Sequence, residues 1–195
     1  MGDRSAGASS TSPTRPSHGS PRSPKASARS ASPGDARSGL GRSALKDLAA
    51  RYDIRPSKAL GQHFLADPNL ARAIVEDAGV GPGDRVVEIG AGLGSLTVAL
   101  AAAGCRVLAI ETDRRLVSAL TEVVSASPDV RVEEVDAMRA DWETLLGPGH
   151  GWAMVSNLPY NISVPLLLDL LERVPAIERY LVMVQKEVGE RLVPE

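Results

Sequence analysis

Four apolar runs in this 195-residue chain end on residues able to do chemistry. RVVEIGAG closes on Glu88 and the glycines Gly90, Gly92 and Gly94, CRVLAIET on Glu111, VRVEEVDA on Asp136, and WAMVSNLP on Asn157. Glycines spaced G-x-G-x-G let the main chain approach a ligand and turn sharply into a helix. Glu111 follows them by about twenty residues, the distance at which a strand-end carboxylate accepts hydrogen bonds from ribose hydroxyls. Asp136 is placed to accept from an exocyclic amine of adenine. Each residue also has a plainer reading, as a packing turn or a solvated strand end. Four of them delivered in order to one edge describe a pocket.

The glycine spacing differs from the G-x-G-x-x-G of dinucleotide enzymes, so no pyrophosphate is demanded. An adenosine moiety fits, and S-adenosylmethionine meets that description. In Asn157-Leu158-Pro159-Tyr160 an amide carbonyl stands beside main-chain acceptors, held by a rigid proline next to a flat ring. That set suits a planar base with an exocyclic amine: the amine donates to the acceptors while the ring stacks on Tyr160, a contact worth about 1–3 kcal/mol.

The elements that must position these residues are legible as alternation. KDLAARYD reads as a short helix, followed by extended RPSKALGQHFLAD. Pro68 opens a helix through about Ala78, capped by Asp67, and Gly79, Gly81, Pro82 and Gly83 end it. Thereafter the strands RVVEIGAG, CRVLAIET, VRVEEVDA, WAMVSNLP and RYLVMVQK are interleaved with the helices LGSLTVALAAAG, RRLVSALTEVVSA and VPLLLDLLERV. Strand alternating with helix implies an α/β fold, a parallel sheet covered by helices on both faces. Such sheets bind ligands at the carboxyl edge, where strand order reverses.

Composition narrows the classes. Hydrophobic residues at 43% and charged residues at 24% suit one globular domain, and one cysteine, Cys105, rules out an intrachain disulfide. A reducing, cytoplasmic setting is the simple reading, and Cys105 is expected to be a semi-buried filler. The longest apolar stretch is too short to span a bilayer, so no membrane association is expected. No metal-ligand cluster is visible, since His18 and His150 stand in flexible or loop contexts, and no metal is expected. Trp142 and Trp152 are expected to cover the rim of the sheet, and Gln185, Lys186 and Glu187 to form either an RNA-facing edge or a solvated strand end.

Residues 1–44 are Ser, Pro, Gly, Arg and Ala with about seven basic and two acidic side chains. They cannot bury enough surface to offset ordering entropy, so disorder is expected. A solvated extension, a basic arm touching RNA and a transit peptide all remain open. Residues 45–195 form the folded domain. With a net charge of −2 overall, that body is acidic and a poor generic phosphate binder.

The motifs GQHFLAD, VVEIGAGLGSLT, AIETDRRL, VDAM, SNLPYNISVPLL and MVQKEVGERL occur in the order of the ribosomal-RNA adenine N6-dimethyltransferase family, and from about Tyr52 to Leu192 the chain resembles it. The resemblance implies a Rossmann-like S-adenosylmethionine-dependent methyltransferase fold. It implies cofactor contacts at His63, Leu65, Gly90, Glu111, Asp136 and Asn157, and places the target adenine at Asn157, Pro159 and Tyr160. Where the family usually reads GQNFL, this chain has His63, whose neutral imidazole can still make one hydrogen bond. The family continues past QKEVGERL into closing strands and a helical RNA-gripping domain, so an incomplete member is expected, with the fifth strand as an edge. Dimethylation of two adjacent adenines near the 3′ end of small-subunit (16S) rRNA is implied, by a protein monomeric when complete. The alternatives are a large-subunit (23S) rRNA relative conferring macrolide resistance, a non-catalytic assembly or transcription factor of the same fold, and a nicotinamide oxidoreductase.

Overall fold

The computed structural model describes residues 39–55, 65–158 and 162–184. His63, Pro159, Tyr160, Gln185, Lys186, Glu187 and most of the 1–44 tail lie outside these residues. Six helices and five strands are described: α1 (Arg42–Arg51), α2 (Pro68–Asp77), β1 (Arg85–Ile89), α3 (Ser95–Ala102), β2 (Arg106–Glu111), α4 (Arg114–Val123), β3 (Val130–Glu134), α5 (Trp142–Leu146), β4 (Trp152–Asn157), α6 (Ser163–Arg173) and β5 (Ile177–Met183).

The strands form one sheet in the order β3-β2-β1-β4-β5, and every pairing is parallel. Side chains alternate across it as the pleat requires. Val86, Val107, Ala109, Ala153 and Val155 face α2 and α3, together with Leu120 of α4. Val87, Ile89, Leu108, Ile110 and Met154 face α5 and α6. Both faces are therefore covered, which explains why these strands are apolar at nearly every position rather than at every second one. Removing each of these valine, leucine, isoleucine and methionine side chains from water contributes about 1.5–3 kcal/mol.

Helix limits follow from their caps. The Asp67 carboxylate accepts the Asn69 N–H at 2.8 Å with Pro68 in the first turn. Asp113 does the same for α4 through Arg115 N–H at 2.9 Å. Gly94, at φ +88°, precedes α3. The short α5 is absent from the strand–helix alternation that the sequence predicts. Its signal is Asp141, which accepts from both the N–H and the hydroxyl of Thr144.

Several expectations are corrected in detail. Cys105 is fully buried rather than semi-buried, its thiol directed at the Gly81 carbonyl, because it stands just before β2 beneath the α2–β1 turn. Trp142 and Trp152 are core residues packed on the α5–α6 face, not rim covers. Strand β3 ends at Glu134, so Asp136 sits two residues past the strand, in the following turn. Among the described residues, β5 pairs on one side only, with β4. Helix α1 begins at Arg42, inside the segment expected to be disordered. No described helix is long and apolar enough to cross a membrane.

Candidate cofactor and substrate site

Strand order reverses between β1 and β4, so the carboxyl ends of these two strands flank the natural ligand crevice. Their pairing runs only from Arg85↔Trp152 to Val87↔Met154. Beyond it the Ile89 N–H is taken by the Ser156 side-chain oxygen at 2.9 Å. Ser156 is fully buried, and its hydroxyl satisfies an amide that would otherwise be orphaned where the strands part.

The glycine loop leaves β1 at this split. Gly90, at φ +74°, donates its N–H to the Ile110 carbonyl at 2.8 Å, and Ala91 N–H reaches the same oxygen at 3.2 Å. Gly94 is required twice over: its φ is left-handed, and a Cβ there would lie 2.6 Å from the Leu120 Cδ1. The loop is thereby pressed against α4.

Glu111 is the hub. Buried at the end of β2, its carboxylate accepts Gly92 N–H on Oε2 at 2.9 Å, and Thr112 and Asp113 N–H on Oε1 at 2.7 and 3.1 Å. A carboxylate offers about four acceptor sites, so Oε2 retains capacity for a ligand hydroxyl. The same oxygens thus bind the glycine loop to the loop that opens α4. Burial raises the Asp113 carboxyl, but the Arg115 main-chain N–H and guanidinium outweigh it and hold the group below the usual carboxylate range.

In the sequence Glu88 is simply the acid that precedes the glycines. It is 2% exposed and faces α3, where the Thr97 hydroxyl meets its Oε2 at 2.6 Å. Burial pushes its carboxyl up to about 8, the Thr97 hydroxyl pulls it back, and Glu111 nearby adds to the rise. At neutral pH the site therefore holds one neutral and one hydrogen-bonded carboxyl group side by side. An acid in an otherwise apolar strand was the available signal for a buried, protonated residue.

The remaining expected residues fall as follows. Asp136 is exposed, and its Oδ1 accepts the Met138 N–H at 3.0 Å. Asn157 is half-buried as the last residue of β4, and Leu158 is buried with its N–H on the Met183 carbonyl at 3.2 Å. Leu65 is half-buried against the α2–α3 core. Because β1, β2, β3 and β4 are parallel, Gly90, Glu111, Asp136 and Asn157 all belong to one edge of the sheet. His63, Pro159 and Tyr160 are not among the described residues.

This donor set suits an adenosine-containing cation. Buried acceptors stand at the β2 end and a further carboxylate follows β3, while the G-x-G-x-G spacing of the loop departs from the G-x-G-x-x-G that seats a pyrophosphate on main-chain amides. Comparison with known proteins then decides the family. Residues 55–195 match the model of the Ribosomal RNA adenine dimethylase family. The chain belongs to the ribosomal RNA adenine dimethylase family.

Within that family it is 49% identical over 156 residues to the ribosomal RNA small subunit methyltransferase A of Streptomyces griseus, covering 78% of this chain and 53% of that protein. The Corynebacterium jeikeium protein of the same name is 48% identical, over 78% of this chain and 50% of its own length. The chain spans about half the length of these relatives. Among solved structures, the 23S rRNA methyltransferase ErmE superposes with a TM-score of 0.58 at 31% identity, covering 66% of this chain and 50% of its own. A dimethyladenosine transferase from Plasmodium falciparum does so with a TM-score of 0.58 at 29% identity, covering 68% and 47%. These likenesses agree with the parallel α/β sheet as a Rossmann-like methyltransferase fold.

Proposed function

We infer that this family member transfers methyl groups from S-adenosylmethionine to N6 of two adjacent adenines near the 3′ end of small-subunit rRNA, in the cytoplasm. Residues 45–195 carry the reaction. The observation that supports it most is the Glu111 hub at the end of β2, a buried acceptor beside the glycine loop that leaves β1 at the switch point. Names of the relatives support the choice of substrate: those at 48–49% identity are small-subunit enzymes, whereas the large-subunit enzyme ErmE stands at 31%.

S-adenosylmethionine supplies, when bound, an electrophilic methyl group on a sulfonium. The chain holds it through Glu111 toward the ribose, Asp136 toward the adenine amine, and the main chain at Gly90, with His63 and Leu65 closing the set as the family resemblance implies. Adenine N6 is a weak nucleophile because its lone pair delocalises into the ring. Acceptors at Asn157 and along Leu158–Pro159 would draw on its hydrogens and localise that pair; each transfer would break the sulfonium S–CH3 bond, leave the neutral thioether and release the N6 proton to water, so no strong base is required. Stacking on Tyr160 holds the splayed base, and alignment of amine and methyl provides the rest of the acceleration.

The test is transfer of labelled methyl groups from S-adenosylmethionine to small ribosomal subunits lacking the modification. N6-dimethyladenosine in small-subunit rRNA is the expected product. Label appearing in large-subunit rRNA instead would favour the ErmE-like reading. Absence of both, where the Streptomyces griseus relative labels the same particles, would reject the activity.

A further inference from the structure

Helix α1 lies ahead of residues 55–195, the span that the family match covers. It is nevertheless built into the site. Leu45 and Leu48, three residues apart on one helical face, and Ile54 just beyond form a buried cluster with Leu93, Leu116 and Ala119. Leu93 belongs to the glycine loop and is next to Gly92, whose N–H lies on Glu111. Leu116 and Ala119 belong to α4, the helix capped by Asp113, whose N–H lies on the other oxygen of the same carboxylate. Helix α1 therefore covers the joint between the two loops that Glu111 holds together.

Polar contacts fix α1 in place around that apolar seam. The Tyr52 hydroxyl donates to Glu122 Oε2 at 2.7 Å, and the Arg51 guanidinium pairs with Glu122 Oε1 at 2.7 Å. From the other side, Arg115 Nη1 donates to the Asp53 carbonyl at 3.0 Å. Asp53 adopts φ +49° just past the C-cap Tyr52, a left-handed position that aspartate tolerates and that ends the helix there.

We propose that α1 is a positioning element for the cofactor site, acting through Leu45 and Leu48 on Leu93 to hold the Gly92 and Asp113 amides on Glu111. The proposal rests on the S-adenosylmethionine reading for its functional consequence, but its structural half stands apart from it. Without α1, Leu93 loses the apolar cover of its side chain, and the glycine loop is free to leave Glu111. The carboxylate would then meet a ligand with its acceptors unaligned. No chemistry is assigned to α1 itself.

The experiment compares Leu48→Ala with Ile177→Ala, a truncation in the other core at the amino end of β5, far from the strand ends. Three quantities are read on each: thermal midpoint, amide exchange at Gly92 and Asp113, and S-adenosylmethionine affinity by calorimetry. Both variants are expected to melt earlier. Only Leu48→Ala is expected to accelerate exchange at the two amides and to weaken cofactor binding by roughly tenfold or more. Leu48→Met, which restores volume, should recover both. Where Leu48→Ala does not fold, Leu48→Val serves in its place. Equal exchange and equal affinity in the two truncations would overturn the proposal. If the unaltered chain binds no S-adenosylmethionine, the functional reading fails, and the amide exchange still decides what α1 does.

Discussion

The Ser156 side-chain oxygen accepts the Ile89 N–H at 2.9 Å, just past the last paired residues of β1 and β4. The bond lets two strands diverge at their carboxyl ends without leaving a buried amide unpaired. Ser156→Ala would orphan that N–H in a fully buried setting, at a cost of about 1–3 kcal/mol. The midpoint of urea unfolding should fall accordingly with the slope unchanged. A variant as stable as the parent would mean that water or another acceptor replaces the hydroxyl.

Glu111 holds three main-chain amides and is offered to the ribose. Glu111→Gln keeps the shape but removes the charge and turns an NH2 group toward one set of amide donors. Loss of a charge-assisted bond of about 1.5–3 kcal/mol predicts cofactor affinity roughly 10- to 100-fold weaker. Titration calorimetry with S-adenosylmethionine measures it. Unchanged affinity would remove Glu111 from the binding set.

Glu88 remains protonated in the folded chain up to about 8, a range in which the unfolded chain has already lost its proton. Folding therefore takes up a proton across that window, and the stability present at acid pH is lost as pH rises through it. Glu88→Gln is neutral throughout and can still accept from Thr97. Relative to the parent, it should gain up to about 1.4 kcal/mol per pH unit between roughly pH 5 and 8, then level off. Chemical unfolding of both proteins at several pH values measures the difference, in which the other carboxylates cancel. Parallel curves would show that Glu88 ionises freely.

Gly94 combines a left-handed backbone with a neighbour 2.6 Å from where a Cβ would stand. Gly94→Ala should therefore destabilise by about 1–3 kcal/mol through backbone strain alone, with displacement of Leu120 adding to it. Gly79→Ala makes the comparison, since it is also left-handed but meets nothing within 4 Å. Equal losses in the two would mean that the Leu120 side chain gives way at no cost.

Much of this architecture is legible locally. Asp67-Pro68 starts α2 as its capping chemistry demands, and the apolar runs at β1, β2 and β4 announce strands buried on both faces. The residues at the strand ends could be named because a strand's direction and a glycine turn are properties of a few neighbouring positions. Element length is less legible: the apolar pattern of VRVEEVDA runs through Asp136 whereas β3 ends at Glu134, and only the Asp141–Thr144 cap signals the five-residue α5.

By itself, then, the amino-acid sequence determined the alternation of strand and helix and which side chains arrive at the carboxyl edge, since both depend on short-range periodicity. Tertiary structure alone decided what those side chains touch. Ser156 meets Ile89 across 67 residues, Glu111 collects the Gly92 N–H from 19 residues before it, and α1 lies over Leu93. Such contacts follow from the order in which strands assemble and from burial shared between distant segments. No local pattern encodes either, which is why a plain strand-end acid proved to be the joint of the site, and its neighbour Glu88 a carboxyl group kept neutral.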